Sequence, residues 1–242
     1  MCASAASFLR ASLIVLGRVS DARSGRAVPA YDALHPELMC HSASGADFGK
    51  AVLVVGPGLG RSAAAAALLD SVLQSSCPLV LDADALNLMS ANPALQQRVA
   101  AHPAPVLLTP HPLEAARLLG CTVEQVQSDR TAAATALATR LHSIVILKGS
   151  GSIIARPDGH MAINTSGNPA LASGGTGDVL AGLCGALLAQ KWPAWEAATG
   201  ATWLHGHAAD VLVRDGYGPV GLTASELTLQ IRREINRLKP PH

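Results

Sequence analysis

Aromatic residues are scarce in this chain, with three Trp, two Tyr and two Phe among 242 residues. So few rings argue against the base-stacking platforms of single-strand nucleic-acid binders. Charge is also sparse, at 14% of residues with a formal net charge of +1. No cluster of Lys or Arg stands out, so the electrostatic footprint of a nucleic-acid binder is missing. The five cysteines (Cys2, Cys40, Cys77, Cys121 and Cys184) are odd in number and scattered. None forms a Cys-x-x-Cys pair, so neither a disulfide framework nor a structural zinc site is indicated. No apolar run is long enough to span a membrane. The run at 11–17 after Arg10 is short, lacks a clear signal-peptide cleavage pattern, and reads as a buried strand. The expectation is a cytoplasmic protein with small-molecule ligands and neither nucleic-acid nor membrane partners.

What remains is apolar: 49% of the residues are hydrophobic, enough for one large domain with a substantial core. Short apolar runs alternate with helix-length segments. Strands are expected at 13–19, 51–55, 78–81, 106–108 and 144–147, with a hairpin at 152–156 and 160–163. Helices are expected at 62–74, 93–101, 112–119, 130–141, 178–190 and 195–213, with capping boxes at Thr122-x-x-Gln125 and Thr223-x-x-Glu226 opening two more. Continuous apolar strands between helices imply a largely parallel sheet covered on both faces. Ligands of such sheets bind beyond the carboxyl ends of the strands. The chemistry-bearing segments fall there, at 56–60, 82–87, 109–114 and 148–152.

The most informative stretch is Asn164-Thr165-Ser166-Gly167-Asn168-Pro169, followed by Ser173-Gly174-Gly175-Thr176-Gly177-Asp178. Small residues run into an apolar helix with Asp178 in its first turn. A helix start offers unpaired N–H groups and the positive end of a dipole, so Gly175, Thr176 and Gly177 form a candidate anion hole. Asp178 either caps that helix or abstracts a proton beside the anion. Gly56-Pro57-Gly58-Leu59-Gly60 fails the Gly-x-Gly-x-x-Gly spacing, so it is either a tight turn or a close backbone approach to a ligand. Asp82 and Asp84 either line a cleft or cap the next helix. His111, stiffened by Pro110 and Pro112, is either a solvated polar group or a substrate contact. Lys148, at the end of a buried strand, is suited to an anion. The run Lys148, Gly149, Ser150, Gly151 and Ser152 therefore reads as a nucleotide-binding loop. His205 and His207 point apart on their helix, and no metal ligand set is assigned.

Taken in order, Val55 to Gly60, Leu81 to Asn87, Leu108 to Glu114, Leu147-Lys148-Gly149 and the stretch from Asn164 to Asp178 resemble the ADP- or ATP-dependent (S)-NAD(P)H-hydrate dehydratases, a family of the ribokinase-like superfamily. The resemblance runs from about residue 5 to residue 238. It implies a single ribokinase-like domain over 1–242, a three-layer α/β/α fold with a largely parallel central sheet. It further implies that Gly58, His111 and Asp178 contact the hydrated nicotinamide nucleotide, and that residues 148–152 and Gly177 hold ADP or ATP with Mg2+. Asp178 would be the catalytic base in dehydrating the S epimer of hydrated NADH or NADPH, releasing phosphate.

The family's opening strand and Gly-Gly-Ser…Gly-Ala segment are not found here, Leu113 stands where glycine is common, and Ser152 replaces a frequent threonine. The resemblance also implies a separate epimerase acting on the same substrate and a homo-oligomer, a tetramer. Two alternatives stay open at this stage: a ribokinase-like small-molecule kinase, and a catalytically impaired nucleotide-binding member.

Overall fold

The computed structural model describes residues 13–16 and 48–238. Its sheet has seven strands in strict chain order: β1 (Leu13–Leu16), β2 (Val52–Val55), β3 (Leu79–Leu81), β4 (Val106–Leu108), β5 (Ile144–Leu147), β6 (Ile153–Ala155) and β7 (Met161–Ile163). Strands β1 to β5 are parallel, and β6 and β7 add antiparallel at one end. The first strand was expected to continue to position 19, but positions 17–19 lie outside the described residues.

Strands β2 to β6 are apolar throughout because both faces are covered, and alternate residues serve different helices. Leu53, Val55, Leu79, Leu81, Leu108 and Leu147 face one core. That core is closed by α1 (Ala63–Val72), α2 (Ala83–Ala91), α3 (Pro93–Ala100), α4 (Pro112–Leu119), α5 (Val123–Ser128) and α6 (Arg130–Leu141). Val52, Val54, Val80, Leu107, Ile146 and Ile154 face the other. There α7 (Thr176–Ala189), α8 (Ala194–Arg214) and α9 (Ala224–Leu238) complete a three-layer α/β/α arrangement.

Most helix starts follow from local chemistry. Ser62, Asn92, Thr122 and Asp129 each accept an amide of the turn they open. Thr223 and Glu226 form the expected reciprocal pair before α9, with Thr223 N to Glu226 Oε2 at 2.8 Å. Two differences from the sequence reading stand out. Helix α2 follows β3 immediately, since Ala85, Leu86 and Met89 bury a helical stripe directly after Asp82. Helix α7 starts at Thr176, two residues before the expected position. Among the described residues no helix is long and apolar enough to cross a membrane.

Candidate active site

The carboxyl ends of β2 to β5 converge with the amino end of α7. Gly56, at φ 130°, closes the turn after β2. A Cβ there would fall 1.7 Å from the Asp82 carbonyl oxygen, so only glycine lets β2 and β3 end side by side. Asp82 follows β3 and is buried. It stands at the N-cap position of α2 but makes no side-chain cap bond. Instead its Oδ1 accepts Lys148 Nζ from the end of β5 at 2.9 Å. Asp84 accepts Gly60 N at 2.8 Å. Neither acid therefore caps the helix; each ties one strand-end loop to another.

The Lys148 ammonium also meets α7, since a Cβ built on Gly177 would sit 3.4 Å from Nζ. Gly175, at φ 86°, turns the chain into α7 without a side-chain cap. Thr176 Oγ1 folds back to the carbonyls of Leu171 and Ser173 at 2.7 and 2.8 Å. Among the described residues the amides of Gly177 and Asp178 donate to no protein acceptor. A cation and free amides thus share one spot, as an anion site requires. The Asp178 side chain, half-buried beside it, makes no hydrogen bond with any described residue. Burial first, and the Asp82 charge second, push its carboxyl above the usual range, while Lys148 opposes them. A carboxylate without local partners, held at raised basicity, suits proton abstraction better than capping.

His111 opens α4. Its Nδ1 accepts Leu113 N at 3.1 Å and Glu114 N at 3.4 Å, while Glu114 Oε2 accepts His111 N at 2.8 Å. With Nδ1 committed as an acceptor, the neutral ring carries its proton on Nε2. Burial and the Lys148 charge lower its pKa, which favours that neutral form.

A cavity of about 910 Å³ opens between these groups and the segment before α7. His111, residues 148–152, Thr176 and Gly177 line it. Gly58, Gly175 and Asp178 do not belong to its wall; Gly58 and Gly175 are exposed, and Asp178 is half-buried. The opposite wall is the loop at 164–169, pinned to α8. Ser166 Oγ donates to the Trp203 carbonyl at 2.9 Å, and Asp210 accepts Gly167 N and Asn168 Nδ2, both at 2.8 Å. A Cβ on Gly206 would fall 2.7 Å from the Ser166 backbone, so this close seating needs glycine. His205 completes that wall, fully buried, with Nε2 2.8 Å from the Thr176 carbonyl.

Comparison with known proteins settles the family. The NAD(P)H-hydrate dehydratase family model matches residues 1–233. The chain belongs to the NAD(P)H-hydrate dehydratase family. It is similar to the ADP-dependent (S)-NAD(P)H-hydrate dehydratase of Neisseria meningitidis, at 46% identity over 187 residues, covering 76% of this chain and 63% of that one. It also matches the bifunctional NAD(P)H-hydrate repair enzyme Nnr of Coxiella burnetii at 38% identity, covering 93% of this chain and 46% of that one. Among solved structures, the ADP/ATP-dependent NAD(P)H-hydrate dehydratase of Bacillus subtilis co-crystallised with ATP/Mg2+ aligns with a TM-score of 0.70 and 33% identity, over 81% of this chain and 69% of that one. The chain spans less than two thirds of the length of the curated relatives it matches, as the 63% and 46% coverages show.

Within this dehydratase-family fold, the loop 148–152, His111, Thr176 and Gly177 line one cavity, whereas Gly58, Gly175 and Asp178 do not. Sequence reasoning missed three contributors: Asp82 as the partner of Lys148, His205 behind Thr176, and Asp210 beneath the 164–169 loop. The acids 82 and 84 carried a signal, because two carboxylates at one strand end exceed what capping needs. His205 and Asp210 had no local signal, since their partners lie 29 and 43 residues away.

Proposed function

We propose that this chain dehydrates the S epimer of hydrated NADH or NADPH at the expense of ADP or ATP, restoring the reduced cofactor. One observation supports this reading above the others. Gly177, at the amino end of α7, lines a cavity large enough for a nucleotide together with Lys148, and the next residue is Asp178, whose carboxyl makes no hydrogen bond with any described side chain or amide.

In this reading the outermost phosphate rests on the turn at 175–177, where Thr176 N already reaches the Ser173 carbonyl at 3.4 Å and the Gly177 amide has no acceptor among the described residues, and the loop 148–152 holds the rest of the nucleotide. Asp178 takes the proton of the ring hydroxyl as its oxygen attacks the phosphoryl group. The amides stabilise the charge that gathers on the transferring oxygens. The hydroxyl, once phosphorylated, is a good leaving group. The ring nitrogen's electron pair expels it as phosphate, and loss of a proton from the neighbouring carbon restores the dihydronicotinamide. His111, neutral and with Nε2 3.4 Å from Glu114 Oε1, and Gly58 contact the hydrated ring.

Among the described residues no group of three His, Cys, Asp or Glu side chains could cage a metal ion. Asp178 and Asp82 are the nearby carboxylates that would hold Mg2+ together with phosphate oxygens and waters. When bound, Mg2+ would offset phosphate charge. The expected separate epimerase and the tetramer belong to the same reading.

The test is turnover of hydrated NADH or NADPH with ADP and with ATP, following phosphate release and reduced-cofactor absorbance together. Asp178→Asn should abolish both while nucleotide binding stays measurable. Near-normal activity in that variant would refute Asp178 as the base, and a stable phosphorylated product would make the protein a kinase instead.

A further inference from the structure

Arg130, the first residue of α6, lies outside the cavity and touches the back of the loop that joins β5 to β6. Its guanidinium donates through NH1 to the Ser150 carbonyl at 2.6 Å and through NH2 to the Leu147 carbonyl at 3.2 Å. The plane lies against Gly149, where an added Cβ would come 2.7 Å from NH2 and 3.1 Å from the guanidinium carbon. Gly149, at φ 151°, and Arg130 therefore explain each other: the loop needs glycine so that the guanidinium can lie beneath it. Among the described residues no carboxylate pairs with Arg130. Asp129, its neighbour, is occupied by Ala132 N and Thr131 Oγ1. The Arg130 Nε is buried without an acceptor. A partly buried cation whose acceptors are both carbonyls of one loop is costly unless that loop must be held in one shape.

We infer that Arg130 is the positioning residue of the nucleotide loop, fixing residues 148–152 in the form that receives ADP or ATP. This rests on the proposed function for the identity of the ligand. The loop has other ties. Ser152 Oγ bonds Gly149 N and O at 3.3 and 3.2 Å, and Asn164 N donates to the Ser152 carbonyl at 2.8 Å. Lys148 N also donates to the Pro110 carbonyl at 2.9 Å, so both ends of the loop are tied. Among the described residues Arg130 is the side chain from outside the loop that joins the Leu147 and Ser150 carbonyls. The planar fork reaches two carbonyls at once, which a lysine ammonium does not do from one rigid position.

Without the fork the first half of the loop samples other shapes, and apparent affinity falls by the fraction that stays competent. A competent fraction of about one tenth weakens nucleotide binding about tenfold, with turnover at saturating nucleotide unchanged. The effect should be graded, with Arg130→Lys weakened less than Arg130→Met. Gly149→Ala, which displaces the guanidinium from the other side, should weaken nucleotide binding as Arg130→Met does.

The experiment is calorimetric titration of the full chain and these three variants with ADP and with ATP, beside steady-state KM values for both substrates. The expected result is a nucleotide dissociation constant raised in the stated order, with the KM for hydrated cofactor and kcat little changed in the two Arg130 variants. An Arg130→Met protein that binds ADP like the wild type overturns the inference, and so does equal weakening toward both substrates. If Arg130→Met does not fold, Arg130→Lys decides by the same criteria. Wild-type protein that binds ADP yet leaves hydrated NADH untouched refutes the dehydratase reading alone. Wild-type protein that binds neither nucleotide overturns this inference as well.

Discussion

The Asp82–Lys148 pair makes an asymmetric claim about stability. The two side chains are 2.9 Å apart, but their exposures differ sharply, at 2% for Asp82 and 21% for Lys148. Removing the lysine strands a carboxylate that water does not reach, whereas removing the aspartate leaves an ammonium that can still be solvated. Breaking a buried pair by deleting one partner costs about 3–5 kcal/mol. Lys148→Met should therefore destabilise the ligand-free protein by about 3 kcal/mol, the full penalty at its lower end. Asp82→Asn, which keeps an acceptor and leaves the ammonium partly solvated, should cost about 1 kcal/mol, in line with a lost ordinary hydrogen bond. The double variant should resemble Asp82→Asn, because the stranded charge is gone. In a chain of this size each kcal/mol moves Tm by about 2–4 °C. Thermal and urea unfolding should then separate Lys148→Met from Asp82→Asn by several degrees, with positive coupling in the double-mutant cycle. Equal losses in the two single variants, or simple additivity in the double, would refute the view that Asp82 is held buried by the ammonium.

Two further predictions concern protons. Asp178 works as a base only when ionised, and burial raises its pKa, so kcat should rise with pH along an acidic limb above the usual carboxylate range. Removing the Asp82 charge should move that limb down, and removing the Lys148 charge should move it up; a limb that stays fixed in both variants would eliminate Asp178 as its source. His205 is fully buried, and its pKa is pushed from 6.5 down to about 4 by burial. Below 6.5 the unfolded chain takes up a proton that the folded chain refuses, so stability is lost as pH falls from about 6.5 toward 4 and is fully present above that window. The contribution is about 3 kcal/mol, and His205→Asn should flatten the pH dependence of unfolding across the window. An unchanged slope would mean that other groups govern acid sensitivity there.

How much of this was legible in the sequence depends on the range of the interaction behind each feature. Val52–Val55 was legible because a strand buried on both faces has no other composition available to it. The caps at Thr122 and Thr223 were legible because donor and acceptor lie three residues apart. Helix α2 was obscured because its N-cap position and first turn carry the acids 82 and 84, whose partners Lys148 and Gly60 lie in other loops. The same limit applies to the site. Its main-chain element, the glycine-rich turn into α7, is contiguous and could be read directly. Its support consists of contacts across the fold: Asp82 to Lys148 across 66 residues, Arg130 to Ser150 across 20, and Asp210 to Gly167 across 43. Each support is a charged side chain holding a loop rather than facing the cavity. In sequence such residues look like solvated surface charges. What sets them apart is the glycine opposite some of them: Gly149 under Arg130, and Gly206 under the loop that Asp210 holds. A glycine that no turn requires is thus the trace that a distant contact leaves in the sequence. Gly206, in the middle of α8, is the clearest case, since a helix interior otherwise disfavours glycine by about 1 kcal/mol.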